Sequence, residues 1–101
     1  MKGLNLVQFE LPQGRYHKKD RVTVCKLYDT LVARIIQGDE PGTLSIYLNH
    51  DGFITMSTAK AMNKALAAAS IQGNVRRNLG QMFFEFNGKH PIGASGFAGQ
   101  Y

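Results

Sequence analysis

Apolar residues recur at every second position in several stretches of this chain and at helical spacing in one. Leu4-Asn-Leu-Val-Gln-Phe-Glu-Leu11 alternates loosely and predicts an edge strand, ended by Pro12 and Gly14. Residues 15–20 read as a polar loop. From Arg21 to Gln37, Val22 and Val24 and then Leu31, Ala33 and Ile35 keep the two-residue period of a strand. Tyr28-Asp29-Thr30 interrupts that period, so the run is either two strands or one long bent strand. Gly38-Asp-Glu-Pro-Gly42 gathers turn formers and joins antiparallel neighbours. In Thr43–Leu48, Leu44, Ile46 and Leu48 take one face and Ser45 and Tyr47 the other. Asn49-His-Asp-Gly52 is a second turn, because Asp-Gly tolerates positive φ. Phe53–Met56 is a short extended stretch.

The period then changes. Ala59, Met62, Leu66 and Ala69 fall at i, i+3, i+7 and i+10, the stripe of a helix that faces a sheet, while Lys60 and Lys64 lie on another side. Ser57 or Thr58 caps its first turn, Asn63 reads as a helix-surface hydrogen-bond former, and Gly73 is the natural left-handed residue after the helix end. Val75–Asn78 and Gln81–Phe86 form a hairpin around Leu79-Gly80, with Met82, Phe84 and Phe86 on one face and Phe83 and Glu85 on the other. The expected fold is α+β: an antiparallel sheet of three to five strands with one helix, about 58–69, packed on one face. Residues 1–86 make one domain. Residues 87–101 are a Gly-rich tail whose composition predicts mobility, with Ile92, Phe97 and Tyr101 as the candidates to anchor it.

Composition narrows the function classes. A chain of 101 residues, 44% of them hydrophobic, is long enough to bury a core without staples. No apolar window approaches a membrane span and the first residues lack the apolar core of a signal peptide, so the expected location is a cytoplasm, with no membrane partner. The single cysteine, Cys25, lies among Val22, Val24 and Leu27 and reads as a small buried hydrophobe. The net charge of +5 is unevenly distributed. Residues 1–54 carry seven basic and six acidic side chains; residues 55–101 carry five and one. That asymmetry favours an anionic partner, nucleic acid above all, against the plainer reading of a solvated surface that keeps the protein soluble.

Catalytic patterns are missing. His17, His50 and His90 are far apart and at no metal-ligand spacing with one another or with Cys25, so no metal or other cofactor is expected. Asp39-Glu40 sits in a Pro/Gly turn, where a carboxylate pair has neither burial nor a cleft for acid-base work. No nucleophile elbow, phosphate loop or dinucleotide fingerprint occurs. A non-enzymatic binding protein is the expectation. The candidate nucleic-acid-binding residues are Lys60, Lys64, Arg76 and Arg77, joined by Lys18, Lys19 and Arg21. Cations would hold phosphates while aromatics such as Phe83, Phe84, Tyr16, Tyr28 or Tyr47 stack on bases where exposed. Strand alternation lets only one of Phe83 and Phe84 face outward.

Tyr28-Asp-Thr-Leu-Val-Ala-Arg34, Phe53-Ile-Thr-Met-Ser-Thr-Ala-Lys-Ala-Met-Asn-Lys-Ala-Leu66 and Gly80-Gln-Met-Phe-Phe84 together resemble a class of small bacteriophage-encoded accessory proteins. In that class a Tyr-x-Thr-x-Val-Ala strand precedes an aromatic-x-Thr-x-Ser/Thr-Thr helix start; tryptophan usually stands where this chain has Phe53. The resemblance implies a phage setting, the bacterial host cytoplasm, and a binding role. Three expectations follow. The first is a sequence-tolerant nucleic-acid binder. The second is a protein-binding inhibitor of a host defence or nucleic-acid-processing complex. The third is an oligomeric virion component that pairs through the edge strand.

Overall fold

The computed structural model describes residues 4–10, 21–38 and 40–101. Among these residues eight strands and one helix form an α+β fold with two antiparallel sheets. The first sheet holds β1 (Leu4–Glu10), β2 (Arg21–Leu27), β3 (Thr30–Gln37), β4 (Ser45–Leu48) and β8 (Phe97–Gln100), in that order across the sheet. The second holds β5 (Asn74–Asn78), β6 (Gln81–Glu85) and β7 (Lys89–Pro91). Helix α1 (Met56–Ala68) follows β4 and packs on β2 and β3 and against β5. Its stripe of Ala59, Met62, Leu66 and Ala69 is buried, together with Ala61 and Ala65.

The long apolar run is two strands. Leu27 pairs Thr30 across a Tyr28-Asp29 turn, and the register shifts between Cys25 and Lys26. Thr23, Cys25, Ala33, Ile35, Ile46 and Leu48 share the inner face by pairing and are all fully buried. The two-residue period therefore marks the core correctly for β3 and β4. In β2 the inner face belongs to the odd residues; Val22 and Val24 lie on the opposite one with Arg34, Ile36 and Tyr47, where Val22 and Ile36 are nevertheless buried. There the Arg34 guanidinium lies 5.4 Å from the Tyr47 ring centre.

Several local expectations are corrected. The helix begins at Met56, two residues before Thr58, and Thr55 is its cap: it is extended (φ −120°, ψ 164°), and its Oγ1 accepts from the Thr58 amide at 3.2 Å. The Ala59 amide donates to the Thr55 carbonyl, so the first helical turn is already closed where Ser57 and Thr58 stand. Thr58 is instead buried, and Met56 belongs to the helix rather than to the extended stretch before it. At the other end Ser70 (φ 59°), not Gly73, takes the left-handed position. Ile71 N–H donates to the Leu66 carbonyl and Ser70 N–H to that of Ala67, which satisfies the last carbonyls in a Schellman arrangement. Gly73 serves close packing: a Cβ there would lie 2.8 Å from the Phe84 ring.

The Gly-rich stretch supplies two strands. β7 pairs β6, and β8 pairs β4, from Ser45↔Gln100 to Leu48↔Phe97. Backbone pairing needs no apolar side chains, which is why composition alone missed it. The three expected anchors do bind it down. Ile92 is buried, and Phe97 and Tyr101 pack on the core. Phe97 sits edge-on to Phe84 at 5.3 Å and Tyr101 edge-on to Phe86 at 4.9 Å, so an aromatic cluster joins the two sheets.

Candidate nucleic-acid interface

Alternation along β5 and β6 decides which side chains are available. Val75, Met82 and Phe84 point inward and are buried, so Asn74, Arg76 and Asn78 face outward with Gln81, Phe83 and Glu85. β7 adds Lys89 opposite Glu85 and Pro91 opposite Phe83 on the same face. Phe83 is thus the outward member of the Phe83-Phe84 pair, and it is half-buried. The Lys89 ammonium lies 4.5 Å from its ring centre, within cation–π range. Arg76 Nη1 stands 3.7 Å from Glu85 Oε2, an exposed pair worth little in water. Arg76, Arg77, Asn78, Phe83, Glu85 and Lys89 border a shallow depression of about 200 Å³. Arg76, Arg77 and Lys89 against Glu85 give it a positive balance, with Arg77 reaching its border from the strand position opposite Met82, on the other face from Arg76 and Lys89.

The remaining sequence candidates lie elsewhere. Lys60 and Lys64 are exposed on α1 and Arg21 is exposed at the start of β2; none of the three borders the depression. The Lys64 charge favours ionisation of the Cys25 thiol of β2, against the larger opposing effect of burial. Asn63, one residue earlier, faces β5. Lys18 and Lys19 lie outside the described residues. Lys89 belongs to the face but escaped the sequence reading, because a lysine after Asn-Gly in a Gly-rich stretch has no register until β7 is known. The alternating Glu85 and Phe83 were the available signal.

Among the described residues, two two-residue turns place both central residues at positive φ, and the three-residue β6–β7 loop does the same at its last two positions. Asp51-Gly52 (50°, 82°) and Asn87-Gly88 (52°, 121°) use residues that accept this backbone. The β5–β6 hairpin instead has Leu79 at φ 53° before Gly80 at 75°. A leucine there costs about 1 kcal/mol of backbone strain. Its side chain recovers nothing by burial, being 94% exposed.

An apolar groove of about 440 Å³ lies across the molecule's other feature of interest, the start of α1. It is bordered by Leu27, Tyr28, Val32, His50, Phe53 and Thr58, among others, with Tyr28 72% and Phe53 58% exposed. Buried His50 is held there for structural reasons. Its Nδ1 accepts from the Gly52 amide at 3.0 Å and its Nε2 faces the Ile92 carbonyl at 2.9 Å, which fixes the tautomer with the proton on Nε2. Among the described residues no group of three or more His, Cys, Asp or Glu side chains is gathered to hold a metal ion. No helix among them is long and apolar enough to cross a membrane. Comparison of the chain with protein-family models, curated proteins and solved structures gave no match.

Proposed function

We propose that this chain is a small non-enzymatic protein that binds nucleic acid with little sequence preference through the outer face of the β5–β6–β7 sheet. The observation that carries the reading is the gathering of Arg76 and Lys89 around outward-facing Phe83, with Arg77 at the rim and Glu85 as the one opposing charge of the depression. Cations on a sheet hold phosphates, and an aromatic ring between them offers a stacking surface that every base can use. Lys60, Lys64 and Arg21 would add a more distant field. The resemblance to phage accessory proteins suits a role of this kind in a bacterial host.

Fluorescence anisotropy of labelled oligonucleotides, titrated at several salt concentrations, tests this. Three phosphate-bound cations imply a slope of log affinity against log salt of about −2 for single strands and about −3 for duplex. Arg76→Ala/Arg77→Ala should remove about 1.5 from that slope and weaken all sequences alike. Salt-independent binding, or none at low salt, would refute the reading.

The apolar groove favours a second reading, a protein-binding inhibitor that receives a partner's apolar side chain between Tyr28 and Phe53. A partner captured from nuclease-treated host lysate by the parent chain, and lost with Phe53→Asp, would support it; capture that disappears on nuclease treatment would refute it.

A further inference from the structure

Resting on the nucleic-acid reading, we propose that Leu79 is an apolar wedge that enters duplex DNA from the minor groove and unstacks a base step, with Arg76 and Arg77 holding the flanking phosphates. Leu79 stands at the apex of the β5–β6 hairpin, almost wholly in solvent, in a backbone conformation that leucine disfavours. The Asp51-Gly52 turn has the same backbone and carries a favoured pair. Tyr28 (φ 57°) is also a large side chain at positive φ in a hairpin turn, but it borders the apolar groove, whereas at the β5–β6 apex neither local geometry nor packing in the folded protein benefits. A ligand is the remaining beneficiary.

The surroundings specify its chemistry. Exposed Asn78 and Gln81 flank the apex as a cross-strand pair and can donate to and accept from base edges, and the two arginines follow one and two residues behind Asn78. Nothing lies within 4 Å of the space beside Gly80, so the tip is narrow and unobstructed. An apolar tip with polar groups beside it and cations behind is how architectural proteins kink a duplex: the side chain is stacked between base pairs while the arginines neutralise the backbone drawn toward the protein. Flexible pyrimidine–purine steps would be entered most easily, which is compatible with weak sequence preference.

The test uses the full chain and a short duplex carrying 2-aminopurine at a central TpA step, with donor and acceptor dyes at its ends. Wild type should raise the 2-aminopurine fluorescence several-fold and shorten the end-to-end distance. Leu79→Asn restores the favoured Asn-Gly turn, so its melting temperature should be at or above that of wild type. It should abolish both signals and weaken duplex binding about tenfold, the loss expected for one buried leucine, while the salt slope is unchanged. Wild type that binds duplex with a steep salt slope but leaves the base stacked would overturn the wedge while the phosphate-binding face stands. So would a Leu79→Asn variant that unstacks the base as well as wild type does. Absence of any binding would overturn both and leave Leu79 as a contact for a protein partner.

Discussion

Asn63 is the side chain whose removal tests the joint between helix and second sheet most directly. Its Nδ2 donates to the Val75 carbonyl at 3.0 Å, and its Oδ1 accepts from the Val75 amide at 2.8 Å. Val75 therefore has both backbone groups on the side away from β6 satisfied by one helical amide, which stands in for a neighbouring strand. Two hydrogen bonds of ordinary net worth contribute about 2 kcal/mol. Alanine recovers about 0.6 kcal/mol of helix propensity, so Asn63→Ala should lose about 1.5 kcal/mol. For a domain of this size that is roughly 6–12 °C in Tm. Asn63→Asp should cost more, because it keeps the acceptor but sets a carboxylate oxygen against the Val75 carbonyl. Urea unfolding gives the energies, and hydrogen exchange at the Val75 amide gives the location. An alanine variant as stable as wild type, with Val75 exchanging at the wild-type rate, would refute the clamp.

Two further outcomes follow from buried atoms. Burial pushes the Cys25 thiol above its usual 9.0, against a smaller lowering effect of Lys64. The folded chain therefore keeps this proton where the unfolded chain loses it: the contribution to stability is complete below pH 9.0 and declines as pH rises above it, a slope that urea titrations should find in wild type and not in Cys25→Ala. Gly96→Ala should cost about 1–3 kcal/mol, since Gly96 sits at φ 83° and a Cβ would lie 2.7 Å from the Leu48 carbonyl. Gly42→Ala, at φ 81° but in open space, should unfold at distinctly higher urea than Gly96→Ala; equal losses would show that backbone conformation alone, and not the Leu48 contact, sets the cost.

Elements with a strong period were legible in the sequence. The stripe from Ala59 to Ala69 located the helix face, the alternation of Leu44, Ile46 and Leu48 located β4's inner side, and Leu79-Gly80 located the hairpin. What periodicity cannot reveal is pairing between distant segments. β8 is Phe-Ala-Gly-Gln, and its only claim to be a strand is the free edge of β4. The cap falls at Thr55 rather than at Ser57 or Thr58 because three hydroxyl residues within four positions can each cap a helix, and the choice depends on where the buried stripe places the first turn. The basic face was legible in part. Arg76 and Arg77 are conspicuous in sequence, but Lys89 joins Arg76 on the outer face only through the strand register, which sets Arg77 opposite Met82 on the other face, and the helix lysines border no part of the depression.

The pairing of β4 with β8 also has a history in time. The strand that covers β4's outer edge is made about fifty residues after it, with the helix and hairpin emerging in between. At ordinary synthesis rates of roughly 5–20 residues per second, that edge stays uncovered for several seconds. Closing so long a loop adds little to the equilibrium cost but much to the search, so the contact between these strands forms late. The Gly-rich segment thus works as a clasp. Until it snaps shut, Ile46 and Leu48 belong to a sheet still open to any strand that reaches it first, whether its own or that of a neighbouring nascent chain.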